Sequence, residues 1–126
     1  MSETISVAEY RALLKHQSNT RGNTRVGVFD SKAEARRYDE LLLLEQAGTI
    51  TGMVIHPTYE LQSAFTDASG TRHKAISYEG DFGYTEGGRA VVEDVKGYRT
   101  ETFRIKEKLF RFRYPEIDFR VIEVGK

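Results

Sequence analysis

The chain has 126 residues, 39% of them hydrophobic and 30% charged, which suits one soluble domain with a modest core. There is no cysteine, which excludes disulfides, cysteine nucleophiles and thiolate metal sites and fits a cytoplasmic setting. The three histidines, His16, His56 and His73, are scattered, which argues against a zinc cage. No apolar run approaches the ~18 residues that would span a bilayer, and the N-terminus lacks a signal-peptide pattern, so no membrane partner is expected.

Lys+Arg and Asp+Glu are equal in number, so the net charge is zero, but the charges are segregated. Basic residues dominate 11–37, acids dominate 39–95, and basic residues dominate again over 96–113. Three separately solvated faces would give this order. So would basic margins around an acidic centre that holds a cation and meets a polyanion.

Taken in chain order, SVAEYRALLKH (6–16) has Ser6 and Glu9 at capping-box spacing and an apolar stripe, which predicts a short helix. QSNTRGNTR (17–25) is a polar, basic arm, so residues 1–24 form an N-terminal helix and linker ahead of a domain over 25–126. VGVF (26–29) is a short strand. DSKAEARRYDELLLLEQAG (30–48) is a strong helix with a cap at Asp30 or Ser31 and Gly48 as its stop.

MVIHPTYEL (53–61) reads as a strand in which Pro57 marks an edge or a bulge. FTDASGTRH (65–73) is a turn, KAISYEGDFGY (74–84) a second strand, TEGGR (85–89) a turn and AVVEDVK (90–96) a third strand. TFRIKEKLFRFR (102–113) is a basic amphipathic helix stopped at Tyr114-Pro115, and IDFRVIEV (117–124) is a last strand. The fold class is α/β with a mixed sheet.

Alternation along 90–96 puts Val92, Asp94 and Lys96 on one face and Val91, Glu93 and Val95 on the other. Gly87-Gly88 suits a two-residue hairpin loop. With Glu86 opposite Arg89, Asp81 falls opposite Asp94 and Glu79 opposite Lys96. Two carboxylates that close repel by roughly 3 kcal/mol at an effective dielectric near 20, a penalty that a divalent cation would turn into a binding site. A three-residue loop would instead bring Glu93 to Asp81. Both acids could also sit exposed on a solvated face, with Lys96 bridged to Glu79.

On the 30–48 helix Glu34 shares a side with Tyr38, Leu41, Leu42 and Glu45. It can complete a capping box with Ser31 or reach towards the acids. On the 102–113 helix Lys106 lies within an apolar arc of Phe103, Ile105, Leu109, Phe110 and Phe112. It can snorkel outwards or meet an anion.

A helix glutamate, then an acid in one strand, then D-x-K in the next, resembles the PD-(D/E)xK nuclease superfamily. The matching residues are Glu34 in DSKAEARRY, Asp81 in YEGDFGY, and Asp94-Val95-Lys96 in VVEDVKG. FDSKAEARRYDEL, HPTYELQ, VVEDVKGYRT and FRIKEKLFRFRYPE also resemble an uncharacterised small-phage family with that signature. One departure is Gly80, which stands where the pattern has a proline.

The resemblance implies a restriction-endonuclease-like fold with an αβββαβ core, and hydrolysis of DNA phosphodiester bonds with Mg²⁺ or Mn²⁺. It makes Asp81, Asp94, the main-chain carbonyl of Val95 and Glu34 the ligands. It makes Lys96 the group that orients the attacking water or stabilises the phosphorane charge. Arg21, Arg25, Arg36, Arg37, Arg99 and Lys106 are candidates for phosphate contacts. Similar phage enzymes resolve Holliday junctions or cut other branched DNA in recombination, usually as homodimers in the host cytoplasm. Two alternatives stay open. One is a single-strand, flap or nicking nuclease, or a transposase-like nuclease subunit. The other is a DNA-binding accessory protein whose acids are not catalytic.

Overall fold

The computed structural model describes residues 5–6 and 31–124. Ser6, expected to open the first helix, ends a two-residue strand, β1 (Ile5–Ser6). The rest of that helix, the basic arm with Arg21 and Arg25, and the expected strand over 26–29 lie outside the described residues.

Helix α1 (Lys32–Gln46) starts at Ser31, whose Oγ accepts the Glu34 N–H at 3.2 Å, and stops at Gly48, where φ is +82°. The strands are β2 (Thr51–Ile55), β3 (Thr58–Gln62), β4 (Phe65–Thr66), β5 (Arg72–His73), β6 (Ile76–Glu79), β7 (Phe82–Glu86) and β8 (Arg89–Lys96). Helix α2 (Glu101–Arg113), capped by Thr100, and strand β9 (Asp118–Glu123) follow. This is a mixed α/β fold. The main sheet has the order β1-β2-β7-β8-β9, antiparallel except for the parallel β8–β9 pair that α2 connects.

The Gly87-Gly88 turn has positive φ at both residues, 59° and 79°, and the ladder pairs Glu86 with Arg89 and Phe82 with Glu93, as the two-residue loop predicts. Both predicted long strands are nevertheless broken. The run 53–61 divides at His56-Pro57 into β2 and β3, and 74–84 divides at Gly80-Asp81 into β6 and β7. The two breaks lie side by side. His56 N–H donates to the Asp81 carbonyl at 3.0 Å, and Gly80 N–H donates to the Pro57 carbonyl at 2.8 Å. Both chains leave the main sheet there and continue as a separate β3–β6 pair. The expected 65–73 turn carries its own short ladder, Phe65 with His73 and Thr66 with Arg72.

The sheet has a core on each face. Val91 and Val95 pack with Tyr38 and Leu41 of α1 and with Ile55 and Phe82. Val92 packs with Phe103 and Phe110 of α2, with Phe119, and with Leu61 and Tyr78 of the smaller sheet. The α2 arc is narrower than expected. Phe103 and Phe110 are buried, but Ile105 and Phe112, seven residues apart on another side, are exposed, Phe112 by 84%. Among the described residues, no helix is long and apolar enough to cross a membrane.

Candidate active site

The paired breaks create the site. Asp81 no longer sits in the ladder opposite Asp94. Its N–H bonds the Glu93 carbonyl at 2.9 Å while Phe82 pairs with the same Glu93, a bulge-like arrangement that re-aims the Asp81 side chain. Its Oδ2 then accepts the Val95 N–H at 2.7 Å. Glu79 pairs with Thr58 rather than with Lys96, because β6 belongs to the smaller sheet. Lys96 instead reaches Asp94, Nζ to Oδ1 at 3.2 Å, with its ammonium 4.5 Å from the centre of the Phe103 ring.

Asp94 is buried, and its other oxygen accepts a hydrogen bond from the Tyr78 hydroxyl, also buried. A cleft of about 250 Å³ opens over these groups, lined by Glu34, His56, Glu79, Asp81, Asp94 and Lys96 among others. The helix glutamate, the two acids and the lysine predicted from the sequence therefore come together, with Val95 in the wall.

Within the cleft, Glu34, His56 and Asp81 each offer one ligand atom, all within 4.8 Å of one another. Two carboxylates and an imidazole are the donor set that suits a divalent cation of the Mn²⁺ type. The electrostatics agree. Burial, then the neighbouring Asp94 and Glu34 charges, push the Asp81 carboxyl up to about 8, against the Val95 N–H and Lys96, which act the other way. An acid so disfavoured as an anion gains most from a cation.

His56 has no motif signal of its own. Its φ of +58° and the Pro57 that follows are where the strand turns out of the sheet. The His-Pro step inside a strand-like run is the trace it leaves in the sequence. His56 Nδ1 stands 3.6 Å from Glu79 Oε2. Tyr78 likewise carries no sequence signal, since alternation along an unbroken 74–84 strand cannot reveal its reach to Asp94.

The opposite face of β8 holds a different carboxylate. Glu93 is fully buried and receives Arg37 in a fork, Nε at 2.8 Å and Nη2 at 2.7 Å, together with the Tyr84 hydroxyl. Arg37 was expected to meet phosphate, but its guanidinium is engaged with Glu93 and Glu40. Of the other basic candidates, Arg36 is exposed on α1 and Arg99 pairs with Glu123 at 3.0 Å. Lys106 is half-buried on α2 and is not among the residues lining the cleft.

Fold and site together define a mixed α/β protein with a buried acidic cleft where two strands depart from its main sheet. More particularly, the chain belongs to the family described as Protein of unknown function (DUF1064), whose profile matches residues 20–125. No curated protein and no solved structure matches it.

Proposed function

We propose that the chain is a metal-dependent endodeoxyribonuclease of the PD-(D/E)xK kind that hydrolyses phosphodiester bonds in branched DNA. The observation that carries this reading is the convergence of Asp81, Asp94 and Lys96 with Glu34 and His56 on one cleft. The order α1, β2, β7, β8, α2, β9, with β3–β6 as an excursion, supports it as well, since it runs in the αβββαβ order that this reading expects.

Glu34, His56 and Asp81 would hold the cation, with Asp94 beside them. Bound there, Mg²⁺ or Mn²⁺ supplies Lewis-acid polarisation of the scissile phosphate and a more acidic water. Tyr78 fixes the Asp94 carboxylate from below, so that its lysine-facing oxygen keeps a set direction. Lys96, 31% exposed and anchored on Asp94 and Phe103, presents its ammonium to the charge that builds on the phosphorane. The exposed Arg36 and the Arg99 rim contribute affinity through phosphate contacts. A homodimer follows from the need to cut two strands of a junction.

The test is cleavage of four-way junction, flap, nicked and linear DNA with Mg²⁺ or Mn²⁺. Wild type is expected to cut a branched substrate. Asp94→Ala and Lys96→Met are expected to lose at least ~100-fold in rate. Full activity in Asp94→Ala would remove the assignment.

A further inference from the structure

A second cleft, about 320 Å³, lies beyond Lys96 and is lined by Lys96, Gly97, Tyr98, Arg99, Arg104 and Glu123. Its volume is at the small end of the range for ligand sites, about 300–1,000 Å³. Lys96 lines both this cleft and the acidic one, so the two adjoin at the lysine. Three cations face one carboxylate here, and that carboxylate, Glu123, is already paired with Arg99 at 3.0 Å. Arg104 is exposed and makes no ion pair with another described residue. Tyr98, in the loop between β8 and α2, is 80% exposed, and its ring meets no other ring among the described residues. An exposed tyrosine alone is ordinary. Placed beside an arginine with no ion pair among the described residues, in a ligand-sized cleft that adjoins Lys96, it is a flat aromatic surface next to an anion contact.

We propose that this cleft is a nucleotide subsite. It takes one unpaired nucleotide of a DNA strand next to the scissile phosphate, with the base stacked on Tyr98 and a backbone phosphate on Arg104. The proposal rests on the nuclease reading and narrows its substrate. Inside a duplex both faces of a base are covered by its neighbours. A side-chain ring reaches a base face only where the strand is splayed or single. The substrate is then DNA with an unpaired nucleotide at the cut, such as a flap or an open branch point, rather than continuous duplex.

The test uses the full chain in EDTA, which separates binding from cleavage, with short single strands carrying one 2-aminopurine at each position in turn. Wild type and Tyr98→Phe are expected to quench the probe at one position. Tyr98→Ala, an exposed change whose fold is checked by circular dichroism, should lose the quenching and bind about tenfold more weakly. Arg104→Ala should keep the quenching but weaken binding and lower the salt slope by about one. Equal quenching and affinity in Tyr98→Ala, or equal quenching in blunt duplex, overturns the subsite. Cleavage of branched DNA that is indifferent to Tyr98 also overturns it and leaves the nuclease standing. Ring-dependent quenching without cation-dependent cleavage of any DNA leaves the subsite and removes the nuclease.

Discussion

The main-chain N–H of His56 donates to the carbonyl oxygen of Asp81 at 3.0 Å, and this bond sets an imidazole beside a carboxylate that lies 25 residues further along the chain. The arrangement predicts a nitrogen ligand for the proposed cation. Mn²⁺ bound to the wild type should show imidazole ¹⁴N coupling in pulsed electron paramagnetic resonance. His56→Gln should lose that coupling and at least about tenfold in Mn²⁺ affinity. Bound Mn²⁺ with no nitrogen coupling in the wild type would exclude His56 as a ligand.

Asp81 makes the cation-free protein pH-sensitive. Its carboxyl ionises at about 8 in the folded chain against 3.8 for the unperturbed group, so between these values the folded state keeps a proton that the unfolded state has released. Its contribution to stability is complete below pH 4 and is lost as pH rises through 8. Thermal melts of the cation-free wild type should therefore show an Asp81-dependent fall over that window, and Asp81→Asn should flatten it. Cation binding expels the same proton, so affinity should rise up to about tenfold per pH unit below 8 and then level off. A pH-independent affinity, measured by calorimetry from pH 5.5 to 8.5, would contradict this.

Arg37 and Glu93 form a structural pair, so their loss should read out in stability rather than in DNA affinity. Arg37→Met leaves a fully buried carboxylate without its cation and is expected to cost about 3–5 kcal/mol. Adding Glu93→Gln removes the stranded charge and keeps an acceptor for Tyr84, so the double variant should recover most of the loss in chemical denaturation. If Arg37→Met melts like wild type but binds DNA more weakly, the side chain serves the ligand instead.

Gly80 stands where the PD-(D/E)xK pattern has a proline, and the local geometry leaves no room there for a larger residue. A Cβ at Gly80 would stand 2.9 Å from Val92 Cγ1, which is fully buried and has nowhere to move. A proline would in addition lack the N–H that bonds the Pro57 carbonyl. Gly80→Ala should destabilise the fold by about 1–3 kcal/mol and displace Asp81. Gly80→Pro should be worse. Denaturation midpoints and cation affinity, measured on both, check the order.

Much of the site was legible because it depends on local rules. Alternation along β8 separated Glu93 from Asp94 whatever the pairing, and the glycine pair set the β7–β8 register. The Ser31 cap and the helix period placed Glu34 on the inward side of α1. What could not be read is tertiary. Two strands leave the sheet together only because His56, Pro57, Gly80 and Asp81 exchange hydrogen bonds across 22 residues of intervening chain. Each run alone looks continuous, which carries Glu79 along to Lys96 and gives His56 no role. Ile105 and Phe112 were counted as inward because the apolar arc was drawn wider than the face that α2 buries.

The Gly87-Gly88 turn ends with a consequence for insertions. The acids on either side of the β8 ribbon differ by a single position, and the pairing with β7, with β9 on the other edge, decides which meets Asp81 and which meets Arg37. An extra residue in this exposed loop has two outcomes. It can bulge into solvent, where it costs little, or it can slip the ladder by one and exchange the two carboxylates. The second outcome would turn the shorter Asp94 towards Arg37, out of reach of a fork built for a glutamate, and put Glu93 into the cleft. A surface loop that touches neither carboxylate thus carries the alignment of both.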